Sequence, residues 1–173
     1  MPRIARIVAP GYPYHVTQRG NYQQPIFDEE DDFRQYLQWL KQYADKYSLN
    51  ICAYCLMTNH VHFVCIPIKE DSLARTFNTL HMRYSQYFNH KKRLKGHLWQ
   101  GRFYSCILDE RHVYTAVRYV ENNPVRAGIV KKPQGYAWSS ARAHVNREKD
   151  SLLSRDCYLE EEIEDWLKYL REN

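Results

Sequence analysis

Two imidazoles one residue apart, His60 and His62, are the first side chains in this sequence whose type and spacing suggest chemistry. Alternate residues of a β-strand point to one face, so both rings converge while Val61 enters the opposite layer. Two convergent imidazoles make half of a metal site; alone they serve equally well as hydrogen-bonding groups, and a further ligand is needed to decide. Tyr119 and Asn123 stand four apart in a segment of helical periodicity and share a face turned away from the packing stripe of Val113, Ala116, Val117 and Val120. A phenol beside an amide oxygen offers a nucleophile and a metal ligand. The plainer reading is a surface tyrosine and a helix-ending asparagine, because Asn123 precedes Pro124 and is pushed from α geometry.

A rival ligand set combines Cys52 and Cys55 with the two histidines as a structural zinc site. Residues three apart on a strand face opposite sides, and Ala53-Tyr54 is not a zinc-hairpin turn, so buried thiols of the sheet are the expectation. His112, seven residues before Tyr119 on roughly the same helix face, is a candidate base, against the commoner reading of a surface histidine.

The elements that must position these groups follow from periodicity. Tyr14-His-Val-Thr alternates as a first strand that ends at Arg19-Gly20-Asn21, and a helix from Phe33 carries its stripe through Tyr36, Leu37, Leu40, Tyr43 and Tyr47. Asp28 to Asp32 enrich its positive end. Ile51 to Met57 and Val61 to Ile68 form a hairpin around Thr58-Asn59, and Ser72 is expected to cap a second helix packed through Leu73, Phe77, Leu80, Tyr84 and Tyr87. A fourth strand falls around Arg102 to Leu108, and a third helix starts near Asp109 and is expected to end by Pro124. Tyr136 to Ser140 reads as irregular and Tyr158 to Leu170 as one amphipathic helix. The order β-α-β-β-α-β predicts an α+β fold, the ferredoxin-like split βαβ sandwich of an antiparallel sheet with helices on one face. To it are added an extra catalytic helix and a C-terminal helical appendage, dividing the chain into residues 1–145 and a tail of 146–173.

The 173 residues suffice for one domain with a real core. Lys and Arg number 25 against 20 Asp and Glu, and the clustering of the acids leaves the middle of the chain more basic than the net +5 suggests. With 15 Tyr and 4 Trp interleaved, that favours a polyanionic partner whose unpaired bases stack on aromatic faces. Five scattered cysteines fit a reducing cytosol. The opening Met1-Pro-Arg-Ile-Ala-Arg6 lacks a signal-peptide apolar run, and no apolar stretch approaches the ~20 residues that span a bilayer, so a cytoplasmic protein without a membrane is expected.

Five stretches together resemble the REP-associated tyrosine transposases, relatives of the small single-strand insertion-sequence transposases with a His-hydrophobe-His motif. They are Tyr14-His-Val-Thr-Gln-Arg-Gly-Asn21, Met57-Thr-Asn-His-Val-His-Phe63, Trp99-Gln-Gly-Arg-Phe-Tyr104, Tyr119-Val-Glu-Asn-Asn-Pro-Val-Arg126 and Trp138-Ser-Ser-Ala-Arg142, spread over about residues 12 to 145. The resemblance implies His60 and His62 as metal ligands, Tyr119 as the nucleophile and Asn123 as third ligand, where insertion-sequence relatives more often have Gln. It implies Mg²⁺ or Mn²⁺ as cofactor, although imidazoles alone suit Zn or Mn better than Mg. The implied activity is cleavage and rejoining of single-stranded DNA at palindromic hairpins through a 5′-phosphotyrosine, by a monomer or weak dimer. Arg75, Arg83, Lys91, Lys92, Arg93 and Lys95 form the basic stretch best placed to follow phosphates, and Arg19, Arg102 and Arg126 sit near motif residues. The alternative is a catalytically silent binder of structured DNA, which has no need of the His60, His62, Tyr119 and Asn123 set.

Overall fold

The computed structural model describes residues 6–172, so residues 1–5 of the opening segment read above lie outside the described residues. Four strands, β1 (Tyr14–Arg19), β2 (Leu49–Leu56), β3 (His60–Pro67) and β4 (Tyr104–Ile107), form one antiparallel sheet in the order β2-β3-β1-β4. That is the expected ferredoxin-like sandwich. Alternation decides which residues face which layer. Tyr14 and Val16 of β1 and Val61, Phe63 and Cys65 of β3 enter a core under α1 (Glu30–Lys46) and α2 (Ser72–Lys92), built on Tyr36, Leu40, Phe77, Leu80 and Tyr84. Val64 and Ile66 enter a second core under α3 (Glu110–Arg126). The extra helix therefore covers the sheet face opposite to α1 and α2.

Local chemistry sets the helix ends. Asp32 is fully buried; its carboxylate accepts the backbone N–H groups of Asp28 and Glu29 at 2.9 and 3.1 Å, fixing the entry to α1, and the Tyr87 hydroxyl at 2.8 Å, tying α1 to α2. Ser72 is the first residue of α2 rather than its cap, which is Asp71. The Ser72 hydroxyl instead accepts from Lys69 N and donates to Ser48 O, both at 3.0 Å. Asp109 caps α3, accepting from the backbone of Arg111 and His112 at 3.0 and 2.8 Å.

Two helix boundaries read from the sequence are corrected. Helix α3 continues through Pro124 to Arg126, because proline removes only its own N–H and this one is buried, while Asn123 O still accepts from Ala127 N at 3.0 Å. Asn123 is thus helical and keeps its place one turn beyond Tyr119. The single C-terminal helix is two short ones, α5 (Leu159–Glu162) and α6 (Trp166–Arg171), broken where Asp165 turns its side chain to cap α6 at Lys168 N, 2.9 Å. A short helix, α4 (Ala141–Asn146), also follows the segment read as irregular.

Cys52 and Cys55 do not face opposite sides. A bulge between Ile51 and Ala53 shifts the strand by one residue and puts both in the core under α3. Cys52 is disulfide-bonded to Cys157, while Cys55 remains a buried free thiol.

Candidate active site

The register of the sheet places the site. Thr17 lies directly opposite His62 and Arg19 opposite His60, and all four side chains face α3. The two imidazoles stand edge to face with centroids 4.9 Å apart. Tyr119, on the face of α3 that meets this row, presents its ring to His62 edge-on at 5.5 Å and is still 40% exposed. The geometry joins His60, His62 and Tyr119 into one cluster at the boundary of core and solvent.

A third imidazole, His15 of β1, belongs to it. Its Nε2 lies 3.1 Å from His62 Nδ1, its ring stacks on His62 at 5.4 Å, and Tyr119 meets it at 6.2 Å. His60 Nδ1 is 2.6 Å from Asn59 Oδ1, an acceptor, so that nitrogen carries the proton. With Nδ1 engaged on both rings, His60 and His62 each keep Nε2 for another partner, the arrangement by which outer hydrogen bonds orient metal-binding histidines.

Electrostatics favour the neutral rings a metal needs. Burial, then the Arg19 charge, pulls the His60 pKa down to about 4. Burial, then His60, His15, Arg19 and Arg126, pulls His62 down to about 3. Burial also lowers His15. The Arg126 guanidinium lies 4.5 Å over the Tyr119 ring, a fixed cation beside the phenol.

The other ligand candidates are placed less closely. Asn123 is half-buried one turn after Tyr119, and among the described residues no hydrogen bond links its amide to either imidazole. No group of three His, Cys, Asp or Glu side chains gathers at metal-binding distance among the described residues. The zinc reading fails on that count and because burial, aided by Glu121, pushes the Cys55 thiol up, away from the thiolate that zinc requires. The donor set at hand, two neutral imidazoles with an amide one turn from the phenol, fits a divalent ion whose remaining positions take oxygen. His112 is bound to Asp109 at 2.8 Å, two helical turns (roughly 10 Å) from Tyr119, so the imidazoles beside the phenol are His15 and His62 instead.

Behind the site lies a buried network that sequence reasoning missed. Glu121, fully buried on α3, accepts from Ser140 Oγ at 2.6 Å, His144 Nδ1 at 2.5 Å and Trp166 Nε1 at 2.7 Å. Ser140 Oγ in turn accepts from the β2 backbone at Tyr54 N, 2.9 Å. One carboxylate therefore clamps α3, α4, α6 and the sheet, and holds the helix that carries Tyr119 two residues earlier. Burial of His144 opposes its charge, but the Glu121 carboxylate and then Glu160 outweigh this and raise its pKa. The only sequence signal was Trp138-Ser-Ser, whose second serine is the bridge.

The predicted cations divide by face. Arg19 and Arg126 stand at the cluster; Arg102 is exposed just before β4, near Arg6. The rest belong to the α1 and α2 layer. Arg75 pairs with Asp71 at 3.4 Å and lies over the Tyr47 ring, and Arg83 lies over Trp39 and bonds the Tyr43 hydroxyl at 2.7 Å. Lys91 pairs with Glu29 and Asp32 at 3.1 and 2.7 Å, Lys92 pairs with Asp28, and Arg93 ends α2 in a left-handed conformation.

A ferredoxin-like sheet of an α+β protein thus brings two imidazoles from one strand against a phenol on a facing helix. The sequence matches the family described as "Transposase IS200 like" over residues 9–123, well over half its length, and the chain belongs to that family. It is 24% identical over 119 residues to a protein of Haemophilus influenzae named "Putative REP-associated tyrosine transposase", a match covering 62% of this chain and 68% of that one. The fold is shared with a solved structure described as a REP-associated tyrosine transposase bound to a REP hairpin, with TM-score 0.66 and 19% identity, over 90% of this chain and 93% of the other. Among the described residues no helix is long and apolar enough to cross a membrane.

Proposed function

We propose that this chain is a metal-dependent tyrosine transposase that cleaves and rejoins single-stranded DNA at palindromic hairpin elements through a 5′-phosphotyrosine intermediate. The observation that carries the reading is the exposed Tyr119 phenol packed edge-on against His62 at 5.5 Å, beside imidazoles that burial keeps neutral. The REP hairpin held by the solved structure of the same fold supports hairpin DNA as the substrate class.

The chain's own residues have separable tasks. His60 and His62 would hold a divalent ion, with Asn123 as the third protein ligand; Asn59 and His15 orient the two rings from behind. When bound, the ion polarises the phosphodiester and neutralises the charge that develops on its oxygens. Imidazole with oxygen ligands suits Mn²⁺ better than Mg²⁺. The Tyr119 oxygen forms a bond to phosphorus as the bond from phosphorus to the 3′-oxygen breaks. One proton leaves the phenol and one arrives on the 3′-oxygen, which departs as a hydroxyl. The phosphodiester count is unchanged, so the hydroxyl of another strand can reverse the step without ATP. Arg126, over the Tyr119 ring, and Arg19, opposite His60, supply cations for the phosphate entering between them.

The test is metal-dependent cutting of a labelled single-stranded hairpin. Wild-type protein with Mn²⁺ or Mg²⁺ is expected to cut, and excess chelator to stop the cutting. Undiminished cutting under chelator contradicts the metal role, and tight hairpin binding with no cutting under any divalent ion identifies a silent binder instead.

A further inference from the structure

Resting on that reading, we propose that Asn59 is a positioning residue through which the loop from Gly20 to Gln24 sets the metal-binding form of His60. The Gln23 carbonyl fixes which way the Asn59 amide faces, and the amide selects the imidazole tautomer that leaves Nε2 free for a ligand. A glycine of the stretch Tyr14 to Asn21 is thereby tied to the asparagine that precedes the His60-Val61-His62 motif.

Donors and acceptors allow one arrangement. Asn59 Nδ2 donates to Gln23 O at 3.3 Å; a carbonyl can only accept, so the amide nitrogen must face the loop and Oδ1 is left to face the ring. Oδ1 lies 2.6 Å from His60 Nδ1, which therefore carries the hydrogen of the neutral imidazole. With the amide turned over, Nδ2 would meet Nδ1, the hydrogen would sit on Nε2, and no lone pair would remain there for an ion.

The loop is built to keep that carbonyl in place. Tyr22 and Gln23 have φ of 52° and 58°, the left-handed conformation that residues with side chains keep only where surrounding contacts enforce it. Both ends of the loop supply such contacts to the hairpin turn that carries Asn59: Gly20 N donates to Asn59 O at 2.9 Å and Ile26 N to Thr58 O at 2.8 Å. Asn21 N donates to Leu98 O at 2.7 Å and braces the loop from its other side. The first position has no room for a side chain. A Cβ on Gly20 would lie 2.4 Å from Gln24 O and 2.9 Å from Ile26 Cγ2, so any other residue must displace the loop and with it the neighbouring Gln23 carbonyl.

The experiment uses the full chain without DNA, first metal-free and then titrated with Mn²⁺. Long-range ¹H–¹⁵N correlation spectra of the metal-free protein distinguish the two tautomers, and His60 is expected with its hydrogen on Nδ1. Asn59→Ala should mix the tautomers and weaken Mn²⁺ binding about 10- to 100-fold, the usual cost of removing an outer partner of a metal-binding histidine. Asn59→Asp offers an acceptor whichever way it turns, so it should keep the Nδ1 form without help from the loop. Gly20→Ala should therefore weaken Mn²⁺ binding about 10-fold in the otherwise wild-type chain and leave it nearly unchanged in the Asn59→Asp background, whereas a merely structural defect would act equally in both. Asn59 is a half-buried turn residue, so Asn59→Ala decides the matter even where Gly20→Ala does not fold. Hydrogen on Nε2 in the wild type, unchanged affinity in Asn59→Ala, or an equal loss from Gly20→Ala in both backgrounds overturns the relay. Covalent adduct formation by wild-type protein with Mn²⁺ and hairpin DNA separates the two readings. Adduct with the hydrogen on Nε2 overturns the relay and leaves the reaction standing. The Nδ1 form, lost in Asn59→Ala, in a protein that binds no Mn²⁺ supports the relay and overturns the metal role.

Discussion

The two faces of the sheet draw alternate residues from the same strands, yet they end in different states. On one side, α1 and α2 close over Phe63, Phe77, Tyr36 and Tyr84, and even His81 is enclosed, its ring 2.8 Å from the Tyr36 hydroxyl. Of the cations of that layer, Arg75, Lys91 and Lys92 are matched by Asp71, Asp28, Glu29 and Asp32, and Arg83 by the Tyr43 hydroxyl and the Trp39 ring. On the other side a single long helix, assisted by the C-terminal segment, partly covers His15, Thr17, His60 and His62 and leaves Arg19 exposed and Tyr119 40% exposed. Two helices make a closed scaffold; one helix leaves a window in which polar groups are desolvated on one side and reachable on the other. That is the condition for imidazoles that are neutral and still able to take a ligand.

The largest effects should separate the faces. Phe77→Ala, on the closed face, is expected to cost roughly 3–5 kcal/mol of stability in a denaturant titration, while folded protein still forms the DNA adduct. His62→Ala should lose adduct formation altogether and keep its secondary structure by circular dichroism. Loss of the adduct in folded Phe77→Ala would break the division between scaffold and site. Next comes Glu121→Ala, which strands His144, Ser140 and Trp166 as buried groups without their acceptor. A loss of about 3–5 kcal/mol is expected, read by denaturant midpoint; a loss below about 1 kcal/mol would show that the clamp on α3 is ornamental.

The pH dependence of stability sharpens the contrast, because two buried histidines outside the site, His81 under α1 and α2 and His144 behind α3, have opposite character. Burial holds the His81 pKa down to about 3, so its contribution is present above the ordinary value of 6.5 and is lost as pH falls toward 3. The His144 pKa is raised, so its contribution is full below 6.5 and is lost as pH rises through the folded value. Thermal midpoints against pH should therefore show His81→Asn flattening the acid arm and Glu121→Gln the alkaline arm. The reverse assignment would contradict both environments. The smallest effect is expected from neutralising Arg75, Arg83, Lys91 and Lys92: the salt slope of hairpin binding should change by less than about 0.7, under one phosphate. A larger change would bring DNA onto the α1 and α2 layer.

Much of this was legible in the sequence, and the reasons for the rest are physical. Periodicity of 2 and 3.6 located the four strands and the long helices, and the two-residue spacing of His60 and His62 correctly implied a shared face. His15 escaped notice although the alternation of His15, Thr17 and Arg19 put three polar side chains on one face of β1, because its meeting with His62 depends on the register between strands. Glu121 between Val120 and Asn122 looks like a surface charge; only the folding back of Ser140, His144 and Trp166 buries it. The bulge that turned Cys52 to the same side as Cys55, and its bond to Cys157 across 105 residues, leave no local pattern to read. The helix continuing through Pro124 and the break before Trp166 are likewise tertiary packing overriding local preference.

The central claim is that Tyr119, among 15 tyrosines, is the one that attacks DNA. Two others bear comparison. Tyr104 is exposed on β4 opposite Thr17, and the Tyr114 hydroxyl is bonded to Glu162. The deciding measurement is peptide mapping of the covalent protein-DNA complex trapped with a single-stranded hairpin and Mn²⁺, run beside Tyr119→Phe, Tyr104→Phe and Tyr114→Phe. The account predicts phosphate on Tyr119 alone, no adduct from Tyr119→Phe at unchanged hairpin affinity, and adduct retained by the other two. Phosphate on any other tyrosine, or undiminished cleavage by Tyr119→Phe, would contradict it.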